Sequence, residues 1–190
     1  MGNTNVSDPR RDIGYPYVEQ RALQPGTDPR RDIGYPYVEQ RALQPRTCDS
    51  LFLQVKGTST DNHSFSINLE TSTGDIALHV NPRFKQGKTI VICLYKGTWQ
   101  REHHVQLRVL EGDSFTCTIE AKGHHYMVCI NEEPLVGYNS VIDCKEVQVL
   151  SAYGGVALRD VQQRPDQPGS DSYRYGPTAP YDHQCNTTYR

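Results

Sequence analysis

Residues 77–84, Ala77-Leu78-His79-Val80-Asn81-Pro82-Arg83-Phe84, set two kinds of side chain in alternation. Successive residues of a strand point to opposite faces. Leu78, Val80 and Phe84 then share one face, which can be buried. Ala77, His79, Asn81 and Arg83 share the other. A solvated outer face satisfies this pattern. So does a polar recognition surface, because His, Asn and Arg in one row offer donors and acceptors together. The remainder of the chain decides between the two.

The neighbouring sequence repeats the alternation. Short segments recur at LFLQV (51–55), SFSINL (64–69), IALHV (76–80), TIVICLY (89–95), HVQLRV (104–109), SFTCTI (114–119), YMVCI (126–130), EVQVL (146–150) and GVALRDV (155–161). Gly57, Gly74-Asp75, Gly87, Gly97, Gly112-Asp113, Gly123, Asn131 and Gly154-Gly155 separate them. Many short strands at this spacing predict an all-β sandwich or jelly roll. No helical period of useful length is present.

The ends of the chain differ in character. Residues 8–27 and 28–47 are a tandem duplication that differs only at Gly26 and Arg46. Two copies are too few for a solenoid. The second copy is expected to lead into the domain and supply a strand near Tyr35–Val38, leaving residues 1–34 as an extension. After Val161 there is no Val, Ile, Leu, Met or Phe. A segment from 163 to 190 rich in Pro, Gly, Ser and Tyr cannot bury enough apolar surface to offset its ordering entropy. It is expected to be a flexible tail. The domain is thus placed at 35–162.

Composition narrows the function classes. The chain has 190 residues and a formal charge of -2, so no broad positive field points to nucleic acid. No apolar run approaches the roughly 18 residues of a membrane-spanning helix. The N-terminal MGNTNVSDPRRD is not a secretory signal. Six cysteines at irregular spacing, with no CxxC, are expected to be free thiols.

Trp99, the single tryptophan, stands in GTWQREHH (97–104), beside a turn glycine and charged residues rather than in an apolar run. It could be a core side chain. A partly exposed Trp beside Arg, Glu and His also suits sugar recognition. The axial 4-hydroxyl of galactose leaves a patch of C–H groups on one face, on which an aromatic ring stacks while polar groups hold the hydroxyls. His79, Asn81 and Arg83 are suited to those hydroxyls. Glu102 can accept from a hydroxyl and also pair with Arg83.

H-x-N-P-R-F, then a Trp with Glu three residues later, resembles the galectin carbohydrate-recognition domain. SFSINL, GDSFTCTI and YMVCIN resemble it too, over roughly residues 35–162. The resemblance implies a jelly-roll sandwich of two antiparallel sheets that binds galactose- or N-acetylgalactosamine-bearing glycans, with no metal or cofactor. It implies that His79, Asn81 and Arg83 bind the 4-hydroxyl, that Trp99 stacks on the ring, and that Glu102 serves the 6-hydroxyl side. It further implies synthesis in the cytoplasm, export by a non-classical route, and extracellular cross-linking of glycans. With one domain per chain, cross-linking requires self-association.

Two positions depart from the family. An Asn usual in the strand after the H-N-R strand aligns with Cys93, a poor hydrogen-bonder. An Arg usual two residues after the Glu is His104, which offers one donor where Arg offers five. The preference for the neighbouring sugar should therefore differ. An enzyme is disfavoured, since Glu102 is the one acid placed in the constellation and glycoside hydrolysis needs two. His103-His104 and His124-His125 do not make a metal site, because adjacent strand residues face opposite ways. The alternative function is a galectin-fold interaction module with lost or altered sugar binding.

Overall fold

The computed structural model describes residues 39–46, 49–60 and 64–164. They form β1 (Glu39–Ala42), β2 (Ser50–Ser59), β3 (Phe65–Thr71), β4 (Ile76–Arg83), β5 (Lys88–Tyr95), β6 (Thr98–Trp99), β7 (His103–Gln106), β8 (Ser114–Lys122), β9 (His125–Ile130), β10 (Glu133–Asn139), β11 (Val147–Gly154) and β12 (Val156–Gln163). One sheet has the order β1-β11-β3-β4-β5-β6, with β7 also paired to β5; the other runs β10-β9-β8-β2-β12. Every named pairing is antiparallel. The described residues contain no α-helix, only single 3-10 turns at Phe84–Gln86 and Cys144–Glu146.

The all-β sandwich read from the sequence is therefore what forms. The inner faces meet in one core. Leu53, Val55 and Ile119 of one sheet face it, as do Leu69, Leu78 and Val80 of the other. Each such side chain contributes about 1.5–3 kcal/mol by leaving water. Stacked rings of Phe65 and Phe115, with centroids 5.1 Å apart, join the sheets at one end.

The pleat of β4 departs from strict alternation near its start. Glu70 is opposite Ile76, but Leu69 is opposite Leu78, so β4 carries an extra residue there. The bulge turns Ala77 into the core beside Leu78. Ala77 therefore does not share the face of His79. Phe84 also leaves the strand. It opens the 3-10 turn and packs half-buried against the core, its ring 6.1 Å from that of Phe65.

The described residues begin and end close to the expected edges of the domain. Among the described residues the second repeat copy supplies Glu39–Ala42, paired with Ala152 to Val149 of β11; the strand expected near Tyr35–Val38 lies outside the described residues. Beyond β1, Arg46 donates through Nη2 to the carbonyls of Cys144 and Val147, the latter at 2.8 Å. At the other end β12 reaches Gln163, whose Oε1 accepts from the Gln44 amide at 2.7 Å. Of the tail expected at 163–190, Gln163 closes β12 and is not free of the sheet; residues 165–190, and the first repeat copy, lie outside the described residues.

Of the six cysteines expected to be free thiols, Cys93, Cys117, Cys129 and Cys144 are buried free thiols, and Cys48 and Cys185 lie outside the described residues. Burial, then the neighbouring Cys129, pushes the Cys117 thiol up to about 12, and burial, then Asp143, pushes Cys144 up to about 11.

Arg46 is the residue that distinguishes the repeat copies, so two deletions isolate it. Removing residues 28–47 leaves the same chain as removing 8–27, except for Gly in the place of Arg46. The chain with Gly should be less stable by about 1.5–3 kcal/mol, the scale of hydrogen bonds from a charged donor. Equal urea midpoints for the two deletions would remove Arg46 as the anchor.

Candidate functional site

The outer face of the larger sheet is built from rows of paired residues. His79 of β4 is opposite Asn68 on one side and Ile92 on the other. Asn81 is opposite Ile90, which is opposite His104. Arg83 is opposite Lys88, which is opposite Gln106. Trp99 is opposite Leu94, in register with the same face. His79, Asn81, Arg83, Trp99, Glu102 and His104 are thereby brought to one region.

The row is not solvated. His79, Asn81 and Arg83 are only 2%, 0% and 4% exposed. The sequence reading placed them on an exposed face; neighbouring strands and the 98–104 segment cover them instead. Burying such groups is tolerated because they are hydrogen-bonded. His79 Nδ1 lies 2.7 Å from Asn68 Oδ1. Asn81 donates through Nδ2 to the carbonyl of Phe65 and accepts at Oδ1 from Arg83 Nε at 2.7 Å. A buried cation is thus held by a short neutral acceptor on its own strand.

Glu102 supplies the compensating charge. Its Oε1 is 3.8 Å from Arg83 Nη2, an ion pair rather than a direct hydrogen bond. Its Oε2 accepts from His104 Nε2 at 2.8 Å. His104 itself is 51% exposed on its side chain, so that pair is worth at most about 1 kcal/mol. Its effect is geometric. It holds the Glu102 carboxylate between two strands. The half-buried Trp99 ring meets the His79 ring edge-on, with centroids 5.3 Å apart and planes at 65°. An aromatic platform therefore stands next to a fixed set of donors and acceptors.

Cys93 does not belong to this set. It is 1% exposed and faces the core between the sheets, beside the buried Tyr138. Burial, then the hydrogen bond with Cys93, raises the Tyr138 phenol above its ordinary range. On β5 the residues that share the face of His79 and Asn81 are Ile92 and Ile90, both fully buried and outside that core. The strand after the H-N-R strand thus offers the site no polar side chain from these two positions. Asn68 joins this cluster through His79 and was not singled out from the sequence. Its signal was present: Ser66, Asn68 and Glu70 alternate with Ile67 and Leu69, as His79, Asn81 and Arg83 do with Val80.

Comparison with known proteins bears on the family and the fold. The galactoside-binding lectin family matches residues 39–163. The chain belongs to that family. Its members are carbohydrate-binding lectins and not catalysts. The 32 kDa beta-galactoside-binding lectin of Haemonchus contortus is 30% identical over 115 residues, covering 57% of this chain and 41% of that protein. Human Galectin-12 is 30% identical over 111 residues, covering 53% of this chain and 32% of that protein. The chain thus spans less than half the length of these relatives. Among solved structures, Caenorhabditis elegans galectin LEC-6 superposes with a TM-score of 0.62 at 21% identity, covering 73% of this chain and 99% of that one. CG-16, a homodimeric agglutinin from chicken liver, gives 0.59 at 18% identity, covering 67% of this chain and 100% of that one. These two likenesses bear on fold.

The placement of Cys93 has a direct consequence. Cys93→Asn should not strengthen sugar binding, because its amide would enter the apolar core. It should destabilise the fold by about 1–3 kcal/mol, the cost of a poorly satisfied buried amide. A denaturation midpoint unchanged from wild type would contradict this placement.

Proposed function

We propose that this galactoside-binding lectin domain binds terminal galactose or N-acetylgalactosamine on glycans through the outer face of its larger sheet. The observation that carries the reading is the juxtaposition of Trp99 with the prearranged row His79, Asn81 and Arg83. Trp99 stacks on the apolar face of the sugar. The row holds its axial 4-hydroxyl. Glu102 accepts from the 6-hydroxyl side while balancing Arg83.

Two features bias the neighbouring sugar. Ile90 and Ile92 offer no polar group from β5, and the donor of His104 is engaged with Glu102. Both reduce the hydrogen bonds available beyond the first residue. Cross-linking of glycoconjugates, and with it agglutination or adhesion at the cell surface, follows if the chain self-associates. The homodimeric agglutinin among its structural neighbours supports that extension. Site residues that already hold one another lower the ordering cost of binding.

Titration calorimetry tests the reading. Lactose should bind saturably and maltose should not. Trp99→Ala should weaken lactose at least about tenfold, or ~1.4 kcal/mol. No heat with any galactoside at millimolar concentration would refute galactose recognition.

A further inference from the structure

Behind His79 runs a line of hydrogen bonds whose direction can be deduced. Ser151 Oγ donates to Glu70 Oε1, because a carboxylate has no proton to give. Tyr153 donates its hydroxyl to the same oxygen at 3.4 Å. Ser151 has one proton, and Glu70 takes it. Its oxygen must then accept from Asn68 Nδ2, 3.3 Å away. The Asn68 amide is thereby oriented with Oδ1 toward His79 Nδ1 at 2.7 Å, and an amide oxygen only accepts. The proton therefore sits on His79 Nδ1. In the neutral ring Nε2 keeps the lone pair.

We propose that Glu70, acting through Ser151 and Asn68, sets the tautomer of His79 and so makes its Nε2 a hydrogen-bond acceptor for a ligand hydroxyl. The three are positioning residues. Ser151 is fully buried and Asn68 nearly so, which shields the line from competing water. The line crosses β4, β3 and β11, and its direction depends on the acceptor-only group at its far end. Without Glu70, the Ser151 proton is free to turn toward Asn68. The Asn68 amide can then flip, donate to His79 Nδ1, and move the ring proton to Nε2. A site that selects a hydroxyl donor would become one that offers a donor. The functional consequence rests on the galactose reading, whereas the tautomer does not.

The test uses the full chain with 15N-labelled histidine and long-range proton–nitrogen correlation spectra without ligand. His79 is assigned by the loss of its signals in His79→Gln. Wild type should show the Nδ1–H form. Ser151→Ala and Glu70→Ala, each checked for a native fold by circular dichroism, should both populate the Nε2–H form. Lactose affinity should fall about 2–10-fold in each. Glu70 is partly exposed, so its variant keeps the test open if Ser151→Ala does not fold. An Nε2–H ring in wild type, or an unchanged Nδ1–H ring in either folded variant, overturns the proposal. The expected tautomer pattern with no lactose binding by wild type would instead refute the galactose reading and leave the relay standing.

Discussion

Strand β4 is buried on both faces, and the two faces are buried for opposite reasons. Leu78 and Val80 face the core and gain by leaving water. His79, Asn81 and Arg83 face outward and would lose by it without the hydrogen bonds of Asn68 and of the Phe65 carbonyl and the charge of Glu102. The period-two pleat separates the two demands cleanly from His79 to Arg83. It cannot be shifted by one residue without placing a guanidinium in the core. That single register positions the site, with β3 and β5 each paired to β4 on either side.

The outer face resolves its burden with two carboxylates. Glu102 balances Arg83 from the β7 side, and Glu70 terminates the line that orders His79 from the β11 side. Between them the polar atoms point in set directions without a ligand. Such preorganisation is costly to fold, since each group is desolvated, but it spares a ligand the cost of ordering them. The same logic explains why Cys93 belongs to the core: its thiol is small and weakly polar, and it packs among apolar side chains beside Tyr138.

Strand positions were largely legible, because alternation of Leu, Val and Ile with Thr, Ser and Gln is a local signal. The segments around LFLQV, SFTCTI and YMVCI became β2, β8 and β9. β10 was harder, since Glu133 and Pro134 open it and Gly137 interrupts it. The motif residues were legible as well, from HVNPR together with Trp99 and Glu102. What the sequence did not reveal was register, which is set by non-local pairing. The bulge at Ala77 and the inward turn of Cys93 depend on which strand lies alongside. The link between Asn68 and Ser151 spans 83 residues, so no local pattern could join them. Burial of the polar row escaped for the same reason, because its cover comes from other strands.

The proposed seat of galactose is the buried row beside Trp99. A crystal structure with lactose tests it most directly. The galactose ring should lie over Trp99, with its 4-hydroxyl within hydrogen-bond distance of His79, Asn81 and Arg83 and its 6-hydroxyl toward Glu102. Galactose bound elsewhere on the domain, or bound without contact to Trp99 and His79, would rule this site out.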